Sequence, residues 1–281
     1  MTDNVSLLDQ LNQQIESGNL ALPVFNVASA KLMALSNSEL DAKEVEHLIL
    51  SDQVLTAEVL RAANSSLFGG LSQINTIRNA IIRLGLMQVS HLAILTANRS
   101  QYDAADPSLC GMIERLWTHA STTATAASWL ARRLGFDREQ ECRSFLGGLL
   151  HDVGKLIILR ALDEIKKAGT SPSALSPRLV DEIMTAAHPV LGYSFLQKCG
   201  IPDVFCEIAR DHHAKDFDSK RIPLVTVRLA DAAAAKMGAS LQPNPSMDLS
   251  SLPEAQCLNT NDILLAELEI MIEDSLLQPI V

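Results

Sequence analysis

Residues 145–159 read FLGGLLHDVGKLIIL and place His151, Asp152 and Lys155 inside a segment otherwise built of Leu, Ile, Val, Phe and Gly. Burying an unpaired charge costs several kcal/mol, so these three side chains need partners. Other imidazoles and carboxylates stand mostly in similar surroundings: His119 beside Trp117 and Ala120, His188 before Pro189, Asp231 in RLADAAAA, and the adjacent His212 and His213 after ARD. Imidazole combined with carboxylate suits Fe, Mn, Zn or Ni. Helices converging on one axis would bring such residues together, as helical bundles do when they build metal sites. Asp152 has two oxygens and could bridge two divalent cations. His119, His151 and Asp231 would complete one shell, and His188, His212 and His213 the other. Two ions roughly 3.5–4 Å apart would activate a hydroxide and polarise a phosphoryl group. Asp152 and Lys155 are the candidate catalytic residues. Lys155 lies one turn beyond His151 on the same helix face and would offset phosphate charge in the transition state.

Each residue also has a plainer reading. His151 and Asp152 could be a hydrogen-bonded pair inside a helix. His188 could be a turn residue, since it precedes a proline. Adjacent histidines point about 100° apart on a helix, so one of His212 and His213 could be solvated. Asp231 could pair with Arg228, three residues earlier. His47 and His91 read as core or half-exposed histidines with no chemistry. The metal reading rests on the joint pattern.

The elements that would position these groups are helical. Of 281 residues, 47% are hydrophobic, only 4% are aromatic, and Ala and Leu dominate. This favours an all-α chain. Periodicity predicts helices over 5–17 (Leu7, Leu8, Leu11 and Ile15 on one face) and from Val27 to Leu35. A further helix carries Val45, Leu48 and Ile49, and another ends at Ala63. Two more flank a hinge at Gly85. Residues 111–134 give the longest pattern, closed by Gly135, and KLIILRAL is ambiguous between helix and strand. Expected units are an N-terminal helical half (1–106), a helical bundle with the candidate site (107–238), a polar loop (239–258) and a C-terminal helix (259–281). The last helix is expected to pack on the core, with a homodimer surface as its other use.

The net charge of −10 and a pI near 5.1 argue against a nucleic-acid grip and against an anionic membrane surface. No apolar run approaches the ~18 residues of a membrane span. Five cysteines, Cys110, Cys142, Cys199, Cys206 and Cys257, form no CxxC pair. They read as free thiols of a cytoplasmic protein.

The ordered set H…HDxxK…H…HH…D resembles the HD superfamily of metal-dependent phosphohydrolases, with the ligand order of its HD-GYP branch. The first half is more specific. HLILSDQVLTAEVLRAANSSLFG followed by INTIRNAIIRLGL resembles the HDOD family, the HD-related output domain of bacterial signalling. The matching residues are Ile49, Asp52, Leu55, Leu60, Asn64 and Ser65, then Ala80, Ile81, Leu84 and Gly85, with LPVF at 22–25 as the opening. The resemblance implies an HD-type helical bundle with His119, His151, Asp152, His188, His212, His213 and Asp231 at ligand positions and Lys155 on the motif lysine. Two departures matter. AKDFDSKRIPL follows His213 in place of a Gly-Tyr-Pro loop, so a cyclic dinucleotide substrate is not implied. Arg115 stands where some relatives place a third-metal Glu, so no more than two ions are expected.

Two functions follow as expectations. One is a dinuclear phosphohydrolase or phosphodiesterase acting on a nucleotide or other phosphate compound. The other is a non-catalytic output module that uses the fold as a scaffold to bind a signalling protein or a nucleotide, with NSSLFGG as a candidate contact loop.

Overall fold

The computed structural model describes residues 41–65, 73–103, 106–167 and 176–277. The helices expected over 5–17 and from Val27 to Leu35, the LPVF segment and most of NSSLFGG lie outside the described residues. Within them the chain is all-α, with no strand. In order the helices are α1 (Ala42–Leu50), α2 (Gln53–Ala63), α3 (Ile77–Leu84), α4 (Leu86–Arg99), α5 (Pro107–Arg133) and α6 (Arg138–Leu150). There follow α7 (Val153–Lys167), α8 (Pro177–Lys198), α9 (Asp203–Asp211) and α10 (Ile222–Lys236). A 3₁₀ turn (Leu249–Ser251), α11 (Pro253–Cys257) and α12 (Asp262–Leu277) close the described chain.

Local chemistry sets the boundaries. Asp41, Asp52, Thr76, Asp106, Asp137 and Ser176 each cap a helix N-terminus by accepting from an early backbone N–H, which satisfies donors the helix leaves free. Gly85 takes φ +85° between α3 and α4, and Gly135 and Gly200 take φ +76° and +71° just beyond α5 and α8. These are left-handed conformations that glycine adopts without a Cβ penalty. Asp106 and Pro107 open α5, with Pro107 in the first turn where its missing N–H costs nothing. KLIILRAL lies within α7. The stretch 239–258, expected to be a loop, contains α11.

The N-terminal signature residues do structural work. Asp52 accepts from the Val54 and Leu55 amides at the start of α2. Asn64 donates to the carbonyls of Leu60 and Ile74 and accepts from the Ile74 amide. It thereby fixes the end of α2 to the chain entering α3. A continuous apolar core runs from Val45 in α1 through Ile94, Leu116, Phe145 and Leu159 to Ala209 in α9. A second cluster joins α5, α10 and α12 through Leu130, Leu229 and Leu268.

Candidate metal centre

Five elements converge on one buried point. His119 comes from mid-α5, His151 and Asp152 from the break between α6 and α7, His188 from mid-α8, His212 and His213 from the end of α9, and Asp231 from α10. The pair lies at the junction of α6 and α7, where the His151 N–H still donates to the Gly147 carbonyl at the end of α6. His188 lies within a continuous helix, with Pro189 inside it, and is not a turn residue. Glycines allow the close approaches. A Cβ on Gly148 would meet the Ala124 Cα at 2.7 Å, so α6 can lie against α5 and present His151 to His119.

Four of the five imidazoles are each locked in one orientation. Nδ1 of His119 donates to the Ala239 carbonyl (2.6 Å), that of His151 to Gly148 (2.7 Å), that of His188 to Met184 (2.7 Å) and that of His212 to Ala209 (2.9 Å). A carbonyl only accepts, so the proton sits on Nδ1 and the Nε2 of a neutral ring is a lone pair. Those lone pairs face one another: Nε2 of His119 and His151 are 3.1 Å apart, and Nε2 of His188 and His212 are 3.2 Å apart. Between the two pairs lies Asp152. Its Oδ2 is 3.3 and 3.4 Å from Nε2 of His119 and His151. Its Oδ1 is 3.4 Å from Nε2 of both His188 and His212 and has no hydrogen-bond partner although buried. Asp231 Oδ1 stands 3.2 Å from His119 Nε2. His213 is exposed, with its ring centroid 4.1 Å from that of His212.

Facing lone pairs around an unpartnered carboxylate oxygen repel unless a cation lies between them. Ligands at about 2.0–2.1 Å from a metal are separated by about 3.0–3.4 Å, which is the spacing found here. The donors fall into two sets, His119 with His151 and Asp231, and Asp152 with His188, His212 and His213, each with ligand atoms within 4.8 Å of one another. The residues therefore fit divalent ions.

Without a metal, a proton on His119 Nε2 stands in for a cation on that side. Burial pushes His188 down to about 3 and also lowers His151. Burial opposes the charge on His119, but Asp152 and Asp231 outweigh it and raise this imidazole to about 10. Burial likewise disfavours the Asp152 carboxylate, yet Lys155 and His151 hold it well below the usual range. Lys155 donates to Asp152 Oδ2 at 2.7 Å, and that carboxylate keeps the ammonium charged despite burial. Without metal, one imidazolium and one ammonium are left to compensate two carboxylates.

The cluster opens onto a pocket of about 340 Å³ lined by Lys155, His188, His213 and Asp231 and walled further out by Asp181, Gln242, Met247 and Leu252. Arg228 is not the partner of Asp231. Its Nε–H donates to Glu254 at 2.6 Å, and its Nη1–H groups reach the carbonyls of Asp211, His212 and Ala214. It thus fixes the end of α9 that carries His212 and His213. Arg115 donates to the carbonyls of Ser240 and Leu241 and ties the pocket wall to α5. Sequence reasoning missed Glu254, Asp181 and Gln242, none of which has a spacing signal. Among the described residues no helix is long and apolar enough to cross a membrane, and the five cysteines are free thiols.

Fold and site together define an all-α bundle with a buried His/Asp cluster at the junction of its helices. The chain belongs to the HDOD domain family, whose model matches residues 22–215. Asp231 lies beyond that match. Solved structures share the fold. An HDOD domain protein of unknown function from Geobacter sulfurreducens is 21% identical, covers 97% of this chain and 99% of its own, and superposes with a TM-score of 0.75. A protein from Shewanella amazonensis SB2B, provisionally described as a metal-dependent phosphohydrolase, is 18% identical with a TM-score of 0.64, over 98% of this chain and 99% of its own. An uncharacterised protein of Treponema pallidum (strain Nichols) is 26% identical over 184 residues, which is 64% of this chain and 35% of that protein. The chain thus matches about a third of that relative's length.

Proposed function

We propose that this chain is a metal-dependent phosphohydrolase or phosphodiesterase with a dinuclear centre, acting on a nucleotide or other phosphate compound. The observation that carries this reading is the pair of facing Nε2 atoms on each side of Asp152, with each carboxylate oxygen turned to one pair. His119, His151 and Asp231 would hold one ion and His188, His212 and His213 the other, with Asp152 shared. When bound, such ions supply Lewis acidity toward a phosphoryl oxygen and lower the pKa of water. The chain supplies the rest. Lys155 keeps Asp152 ionised and lines the pocket, where its remaining N–H groups would meet phosphoryl charge. The Nδ1–H bonds to carbonyls fix the rings before any ligand arrives. Arg228 holds the end of α9 in register.

Elemental analysis of protein prepared anaerobically tests the metal, with about two equivalents expected and none after Asp152→Ala. Hydrolysis of bis-p-nitrophenyl phosphate with Mn or Fe tests catalysis. Asp152→Ala should abolish it, and Lys155→Met should retain metal but lose about 10²-fold in rate. Metal content below about 0.2 equivalents in the wild type would remove the basis of the proposal. The second reading is a non-catalytic output module. It draws on the apolar Val54 and Ile82, which stand 70% and 76% exposed on α2 and α3, and it predicts bound metal without turnover.

A further inference from the structure

The pocket in front of the His/Asp cluster has an unusual charge balance for a site meant to receive phosphate. Two cationic side chains line it, Lys155 and Arg228. Lys155 is bound to Asp152 beside the metal donors. Arg228 is spent on Glu254 and three backbone carbonyls and lies over the Phe217 ring, 4.3 Å from its centroid. Beyond Lys155, the lining among the described residues offers no uncommitted cation, Glu254 offsets Arg228, and Asp181 adds negative charge. Residues that take chains of phosphates use additional Lys, Arg or backbone N–H clamps for the distal groups. Here the distal wall is Met247, Leu241 and Leu252, which suits an uncharged body.

One polar group on that wall has a fixed orientation. Gln242 Nε2 donates to both oxygens of Asp181, at 2.9 and 2.8 Å. A carboxylate only accepts, so the amide cannot flip. Gln242 is exposed at the pocket rim, and Oε1 is the amide atom it has left to accept from a ligand. The volume of about 340 Å³ is at the small end of the ~300–1,000 Å³ range for small-molecule clefts. It suits one nucleoside-sized body.

We infer that the pocket selects esters with a single phosphoryl group on an uncharged, nucleoside-sized body, whose hydrogen-bond donor meets Gln242 Oε1, and discriminates against polyphosphates. This rests on the dinuclear reading above, in which the ions and Lys155 take the one phosphoryl group.

The test is isothermal titration calorimetry of Mn-loaded full-length protein with adenosine 5′-monophosphate, adenosine 5′-triphosphate and inorganic phosphate. Free Mn is held equal throughout, and metal content is measured on the same samples. The monophosphate should bind at least about tenfold tighter than the triphosphate. Gln242→Met should weaken the monophosphate about fivefold and leave inorganic phosphate unchanged. Met247→Arg, which adds a free cation at a half-buried wall position, should narrow the gap between the two nucleotides. With metal present, a triphosphate that binds as tightly as the monophosphate overturns the inference and leaves the metal centre standing. So does failure of both nucleotides to bind. Absence of metal from the samples instead removes the dinuclear reading and this inference with it.

Discussion

Gly154 and His188 meet backbone to backbone: a Cβ on Gly154 would stand 2.0 Å from the His188 carbonyl oxygen and 2.9 Å from the Gly192 amide nitrogen. This contact sets the crossing of α7 and α8, and so the distance between Asp152 and His188. Backbone cannot yield as a flexible side-chain tip would. Gly154→Ala should force α8 outward, cost at least about 2 kcal/mol in urea unfolding, and reduce bound metal by about one equivalent on the His188 side. A variant with unchanged stability and full metal content would show that the crossing does not position His188.

Metal should also stabilise the fold, because the donors are assembled only in the native state. An ion present at about a thousandfold its dissociation constant adds about 4 kcal/mol. Thermal unfolding with and without a chelator reads this directly, and the expected outcome is a clear fall in Tm. Coincident transitions would mean that the facing imidazoles hold no ion under those conditions.

His91 makes acid stability a separate question. It is buried, stacks on Phe145 with centroids 3.7 Å apart, and its Nε2 has no partner among the described residues. Burial, reinforced by Arg132, lowers its pKa to about 3. The unfolded chain takes up a proton near 6.5 and the folded chain only near 3, so the unfolded state binds more protons between these values. Stability must therefore fall as pH drops through that window, by about 1.4 kcal/mol per pH unit from this residue. His91→Leu should flatten the decline between pH 6.5 and 5 by roughly 2 kcal/mol in urea titrations. Parallel curves for the two proteins would contradict the burial argument. Comparing them cancels the metal-site histidines, which both retain.

Arg228 and Glu254 form a buried pair, with side chains only 12% and 5% exposed. Removing one partner leaves the other charged and unpaired, so Arg228→Met should cost about 3–5 kcal/mol. The double replacement Arg228→Met with Glu254→Met should recover part of that loss. It should not recover all, because the carbonyls of Asp211, His212 and Ala214 lose their donor. Urea unfolding of the three proteins checks both statements.

Much of this was legible in one dimension because of what helices require. Alanine and leucine periodicity marked the long helix ending before Gly135, and Gly85 marked the hinge. Most polar residues of the site stood out because they are imidazoles or carboxylates in apolar surroundings, where something must offset burial, whereas His212 and His213 in ARDHHAK stood out only as an adjacent pair. Long-range partners were not legible. Arg228 and Asp231 sit three apart and looked like a pair, yet Glu254 lies 26 residues beyond Arg228 and reaches it only through the fold. Helix α11 hid in a polar stretch, although Pro253 followed by Glu254 is a recognisable helix start. The glycines of FLGGLLHDVGK read as ordinary core, since nothing in a sequence says which backbone will pass within van der Waals distance. Asn64 showed as a signature residue, but its grip on Ile74 depends on where the chain returns.

The wall of the pocket and the ring of His119 are mechanically continuous, since Ala239 holds Nδ1 of that imidazole while Arg115 anchors the next two residues. Any guest that nudges residues 239–242 must also tilt the imidazole. A spectroscopically visible ion such as cobalt, placed beside His119, would then change colour when the cleft fills, and the protein would carry its own gauge of occupancy.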